Sequence, residues 1–219
     1  MVIQKKIYLP PPVQEREIFR YAGCREIKEE FRQQMEECLA ETKGKFQYQV
    51  CWAEYPVHID GDKLDLTFAR VKSHALAKNL AGCEKILLFL ATIGLGIDRL
   101  ITRYSRVSPV KALWFQAIGA ERIESLCDLF CEERDRELLP KGQQLRPRFS
   151  PGYGDLPLAL QKEIFCVFER EKTGVFLNES LLMTPSKSVT AIAGIGTKKE
   201  IQKEEKCGSC QKADCPFKR

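Results

Sequence analysis

The sequence contains no apolar run long enough to cross a membrane. Its longest greasy stretch, Ile86 to Ile97, is about 12 residues, whereas a spanning helix needs about 20. A buried strand is the expected use of that stretch. Lys5 and Lys6 near the start are not followed by an apolar run of signal length, so no secretory signal is expected. No internal repeat is visible. A Walker loop is missing too, because Gly194-Ile-Gly196-Thr-Lys198 has the wrong spacing. Histidine is scarce: His58 and His74 are the two in the chain, both in segments expected to be strand or helix, where fold or surface roles are the expectation. No stripe of interleaved aromatic and basic residues appears, and the formal charge of +5 is the balance of 35 basic and 30 acidic side chains. That mild, interspersed charge argues against a nucleic-acid partner. A cytoplasmic protein, with neither membrane nor nucleic acid as partner, is the expectation.

What is present is material for a core. Of 219 residues, 44% are apolar and 30% charged, which excludes a disordered chain and fits one large domain, or one domain with an appendage. There are 10 cysteines. Without a signal, reduced thiols are the default rather than a disulfide framework. Most of the first seven (Cys24, Cys38, Cys51, Cys83, Cys127, Cys131 and Cys166) sit among apolar residues and are expected to pack as small hydrophobes.

Periodicity predicts the elements. A short extended segment at Lys6 to Leu9 stops at three prolines. A short helix near 13–22 ends at Gly23, and an amphipathic helix follows over 25–42, marked by Ile27, Phe31, Met35, Cys38 and Leu39. A strand is expected over 46–55, then a hairpin over 57–68 around Asp60-Gly61, a helix over 71–81 and a central strand over 85–92. Ser108-Pro109 is a helix start, with a capping hydroxyl and a proline at the first position, and the helix is expected to run to about Glu137. Residues 141–156 read as an ordered loop. A helix over 157–172 and a strand over 188–195 complete the pattern. The irregular alternation with a hairpin predicts an α+β fold, a central, mostly antiparallel twisted sheet with flanking helices, over 1–196. A charged linker and a short cysteine-containing C-terminal tail occupy 197–219.

One loop carries chemistry: Arg148-Phe149-Ser150-Pro151-Gly152-Tyr153-Gly154-Asp155-Leu156-Pro157. A guanidinium pairs with a planar carboxylate through two parallel hydrogen bonds. Gly152 permits close backbone approach or positive φ. Tyr153 offers a flat face and a hydroxyl, and the prolines stiffen both sides. Together these suit a small ligand with a carboxylate, a cation and an aromatic ring. The same residues also read as a plain turn with a solvated arginine.

Arg148-x-x-x-Gly152-Tyr153 resembles the Arg-x-x-x-Gly-Tyr motif of the activation (reactivation) domain of cobalamin-dependent methionine synthase. A second block, Leu177-Asn-Glu179-Ser180-Leu-Leu-Met183-Thr-Pro185-Ser-Lys-Ser188-Val189, is similar to that family's Leu-Thr-Glu-Ser-x-x-Met-x-Pro-x-x-Ser-Val. The similarity covers residues 145–195, with agreement in element order over 13–140. It implies the activation-domain fold and S-adenosylmethionine binding, with Arg148 on the ligand's carboxylate, the backbone of Phe149 and Gly152 against the ligand and Tyr153 lining its site. Glu124, or Glu121, is placed as an acidic contact. Thr190 to Gly196 stands where the family has an aromatic hairpin, which leaves the adenosine contacts open.

The resemblance further implies a role in methionine biosynthesis. In this family a reductase converts inactive cobalt(II) to cobalt(I), and S-adenosylmethionine traps it by methylation. The chain has no recognisable corrinoid-carrying domain, so the cobalamin is expected on a separate corrinoid-binding methyltransferase subunit. An electron donor such as flavodoxin or ferredoxin is the other expected partner. Cys207, Cys210 and Cys215 offer three thiolates for zinc or an iron–sulfur cluster, one short of a closed tetrahedral zinc site. Two other readings stand beside this one: a non-catalytic corrinoid-protein adaptor, and a metal- or iron–sulfur-binding redox accessory.

Overall fold

The computed structural model describes residues 2–197; the zinc or cluster site expected at Cys207, Cys210 and Cys215, and the expected linker beyond Thr197, lie outside the described residues. The strands are β1 (Gln4–Ile7), β2 (Gln49–Pro56), β3 (His58–Asp60), β4 (Lys63–Asp65), β5 (Arg70–Lys72), β6 (Lys85–Thr92), β7 (Gln143–Leu145), β8 (Phe176–Leu177), β9 (Met183–Thr184) and β10 (Ser188–Thr197). The helices are α1 (Glu15–Tyr21), α2 (Glu29–Glu41), α3 (His74–Asn79), α4 (Gly96–Val107), α5 (Pro109–Leu138) and α6 (Gln161–Phe168).

Five strands form the main sheet in the order β1-β2-β6-β10-β7, every pairing antiparallel. The α+β class and the central antiparallel sheet with flanking helices are as expected. Successive side chains of a strand face opposite sides, and here both sides are covered. Leu87, Phe89 and Ala91 of β6 join Val50 and Trp52 of β2 against α1, α2, α4 and α5. Ile86, Leu88 and Leu90 join Cys51, Ala53 and Tyr55 against α3, α6 and the hairpin residues Leu64 and Leu66. Double coverage is why the 85–92 run is apolar without alternation. Full burial of a side chain such as Phe89 contributes about 1.5–3 kcal/mol.

Local chemistry sets the boundaries. Ser108 Oγ accepts the Lys111 amide at 3.4 Å and Pro109 opens α5, as read from the sequence. In the hairpin Asp60 pairs with Lys63, so the turn is Gly61-Asp62, one residue later than expected, with Gly61 at φ +61°. A third strand, β5, extends it to a meander. The helix expected over 71–81 is shorter, because 70–72 pair with β4 and Ser73 then caps α3. The expected helix over 157–172 is α6 flanked by short 3₁₀ turns. Helix α4 was not anticipated: Gly94 and Gly96 read as punctuation, yet Ile97, Leu100, Ile101 and Tyr104 recur at helical spacing against the core. Of the seven described cysteines, Cys38, Cys51, Cys83 and Cys127 are buried and Cys166 is exposed. No described helix is long and apolar enough to cross a membrane.

Candidate functional site

The 141–156 segment is more than a loop, because it lies along β10. β7 pairs with residues 195–197. The chain then stays in that lane: the Arg146 amide donates to Gly194 O at 2.7 Å, and Phe149 and Ile192 exchange two backbone hydrogen bonds of 2.8 Å. Alternation on this extended backbone sends neighbouring side chains to opposite faces. Phe149 packs with the cluster under α3 and α6, while Arg148 turns to α5.

There Arg148 Nη2 donates to Glu124 Oε2 at 3.1 Å and to Asp128 Oδ1 at 2.7 Å. The two carboxylates are four residues apart and share one helix face. The Arg148 side chain is 21% exposed. Burial works against its charge, yet its neighbours Cys127, Glu124 and Asp128 hold its pKa above the ordinary arginine value. Complete burial pushes the Cys127 thiol far up, so at neutral pH that thiol is uncharged and the attraction comes from the two carboxylates. Among the described residues, Nε and Nη1 of Arg148 carry no hydrogen bond, and a guanidinium holds five N–H donors. Donors therefore remain for a further acceptor.

The turn after Arg148 is closed by its own backbone. Tyr153 N donates to Ser150 O at 3.2 Å, Leu156 N to Tyr153 O at 3.0 Å and Gly152 N to Leu156 O at 2.9 Å. Gly152 holds φ +89°, a region that side chains rarely adopt. Asp155 clamps the turn to α3: Ser73 Oγ donates to Oδ1, the His74 amide to Oδ2 at 2.7 Å and the Ala75 amide to Oδ1 at 3.1 Å. The Ser73 hydroxyl foremost, then these amides against the pull of burial, hold the Asp155 carboxyl below the ordinary range.

Of the residues singled out in the sequence, Arg148 and Glu124 meet directly. Phe149 lies beside them in chain but its N–H and C=O are both paired with Ile192, leaving the second lone pair of its carbonyl. Tyr153 is 68% exposed, and with Gly152 and Gly154 it forms an open face. Glu121, the alternative acidic contact, is buried elsewhere: it binds Arg122, Ser125 and the Gln14 amide. Asp128 and the Ser73–Asp155 tether were missed. Asp128 was discoverable as the residue one turn beyond Glu124. The tether spans 82 positions and had no local signal. His58 and His74 are both exposed.

The second sequence block builds the β8–β9 ribbon and the start of β10. Ser188 Oγ donates to Pro185 O at 2.8 Å and lies 2.9 Å from Thr92 Oγ1, joining β10 to β6. Residues 190–196, where an aromatic hairpin was missing from the sequence, are the buried middle of β10. A Cβ on Gly194 would lie 2.6 Å from Cys83 Sγ. Among the described residues no group of three or more His, Cys, Asp or Glu could hold a metal ion.

No protein-family model matches the sequence, and no curated protein matches it significantly. Among solved structures, the crystal structure of the MetH reactivation domain bound to AdoHcy is similar over 92% of this chain and 81% of that one. The TM-score is 0.64 and the sequence identity 15%. The chain therefore has the fold expected from the Arg-x-x-x-Gly-Tyr resemblance.

Proposed function

We propose that this chain is an S-adenosylmethionine-binding module that presents the methyl sulfonium to a corrinoid held by a separate methyltransferase subunit. The observation that carries the reading is Arg148: it stands in the matching motif, on the matching fold, half-buried between Glu124 and Asp128 with guanidinium donors to spare.

The residues fit the amino-acid end of that ligand. A zwitterion needs donors for its carboxylate and acceptors for its ammonium, and Arg148 with Glu124 and Asp128 supplies both within one helix turn. Gly152 and Gly154 keep the turn beside it free of side chains. Tyr153 offers an exposed ring to a cation or a base. A corrinoid on the partner subunit, reduced by one electron from a flavodoxin- or ferredoxin-like donor, would supply the electron pair that bonds to the methyl carbon, while the C–S bonding pair stays on sulfur and S-adenosylhomocysteine is the leaving group. The metal being the nucleophile, this chain has to position and need not transfer a proton.

Calorimetric titration with S-adenosylmethionine and S-adenosylhomocysteine tests the reading. Saturable binding that Arg148→Ala abolishes supports it. Equal behaviour of wild type and Arg148→Ala, with retained binding to a corrinoid protein, would favour the adaptor instead.

A further inference from the structure

We propose that a cavity between α4, the loop joining α2 to β2, and the Thr173-Gly174 turn binds a small phosphate ester. It measures about 690 Å³, within the size range of small-ligand sites. None of its lining residues belongs to the 148–157 loop, so it is separate from the site above.

The charge on its wall has one sign. Lys45, Arg99 and Arg103 line it, and no carboxylate does. Arg99 and Arg103 are four residues apart on α4, a spacing at which like charges disfavour the helix. None of the three cations makes an ion pair among the described residues. The nearby acids are committed elsewhere: Asp98 accepts the Ser186 amide and Glu41 the Tyr104 hydroxyl. Guanidinium forks are the preferred partners of phosphate oxygens.

The backbone brings these cations together. A Cβ on Gly96 would lie 2.0 Å from Lys45 O, and one on Gly94 would lie 3.3 Å from Gln47 Cβ. Glycine at both positions lets the 44–47 loop lie on the start of α4, which puts Lys45 on the same wall as the arginines. Gln49 Nε2 donates to Thr173 O at 3.0 Å and holds the opposite wall. Leu95, Leu100 and Pro185 add apolar lining, which suits the organic part of an ester. No aromatic ring lines the cavity, so the stacking platform of single-strand nucleic-acid binding is missing.

Pyrophosphate is the probe, titrated calorimetrically into the full chain at roughly physiological salt. One saturable site is expected. Arg99→Gln and Arg103→Gln should each weaken it about tenfold; both side chains are exposed and repel along α4, so the thermal midpoint should not fall. Arg148→Ala should bind pyrophosphate like wild type, and the Arg99→Gln/Arg103→Gln double variant should keep any S-adenosylmethionine affinity, so either site can fail alone. The proposal is overturned by no saturable heat, by binding that survives the double variant, by loss of the site in Arg148→Ala, or by a short single strand of DNA displacing pyrophosphate with a steep salt dependence.

Discussion

The Arg148 guanidinium donates to Asp128 Oδ1 at 2.7 Å across 20 positions of chain. This contact decides where the motif arginine points: towards α5, in line with Glu124, and away from bulk solvent. Under the proposed function, a ligand carboxylate would share Arg148 with two protein carboxylates, and its ammonium would find them as acceptors.

Arg148→Ala is expected to lower S-adenosylmethionine affinity by at least tenfold, since a charge-assisted hydrogen bond contributes about 1.5–3 kcal/mol. Asp128→Asn keeps the shape and removes one charge, so a smaller loss is expected. Tighter binding in Asp128→Asn would show that Asp128 competes with the ligand instead of receiving its ammonium.

The Asp155 clamp should be sensitive to acid. Its carboxyl is held below the ordinary range, so its stabilisation is complete above the unfolded carboxylate pKa and disappears as pH falls through the lowered folded value. Amide exchange at His74 and Ala75 should stay protected from neutral pH down through the ordinary carboxylate range of about 4 and accelerate below it. In Asp155→Asn that acid step should vanish.

Arg122 and Glu121 are 2% and 1% exposed. Arg122 also donates to Pro11 O at 2.6 Å and Pro12 O at 2.7 Å, tying the N-terminal segment to α5. Arg122→Leu strands a buried carboxylate, and loss of one partner from such a pair costs about 3–5 kcal/mol. A chain of this size should then melt roughly 6–20 °C lower. Glu121→Gln/Arg122→Leu should recover part of the loss in urea denaturation.

Gly96→Ala separates packing from helix propensity. In an exposed helix the change would stabilise by about 0.4–1 kcal/mol, but here the new Cβ meets the Lys45 carbonyl. A net loss of about 1–3 kcal/mol is expected, read as a lower thermal midpoint. An unchanged midpoint would mean that the 44–47 loop moves away freely.

Cys207, Cys210 and Cys215 are expected to ligate zinc or a cluster. Metal analysis and absorption spectra of anaerobically purified protein check this. Colourless, metal-free protein would remove the site.

Much of this was legible in one dimension. The Arg148–Tyr153 spacing, the Ser108-Pro109 start of α5 and the unbroken apolar run of β6 are local patterns, and each appears where the residues put it. α4 was legible too, through Ile97, Leu100, Ile101 and Tyr104, but two glycines masked it. One of them, Gly96, is there because a backbone carbonyl from another segment lies against it.

Residue order by itself determined most of the helices and strands, which faces are apolar and which loop holds the arginine, because side-chain period and turn chemistry act over a few neighbours. The tertiary structure alone decided that the loop runs beside β10. That lane sends Arg148 to α5 and Phe149 to the opposite core, and it brings Asp155 onto Ser73. These outcomes depend on strand order and on contacts between positions far apart in the chain, which no local periodicity encodes.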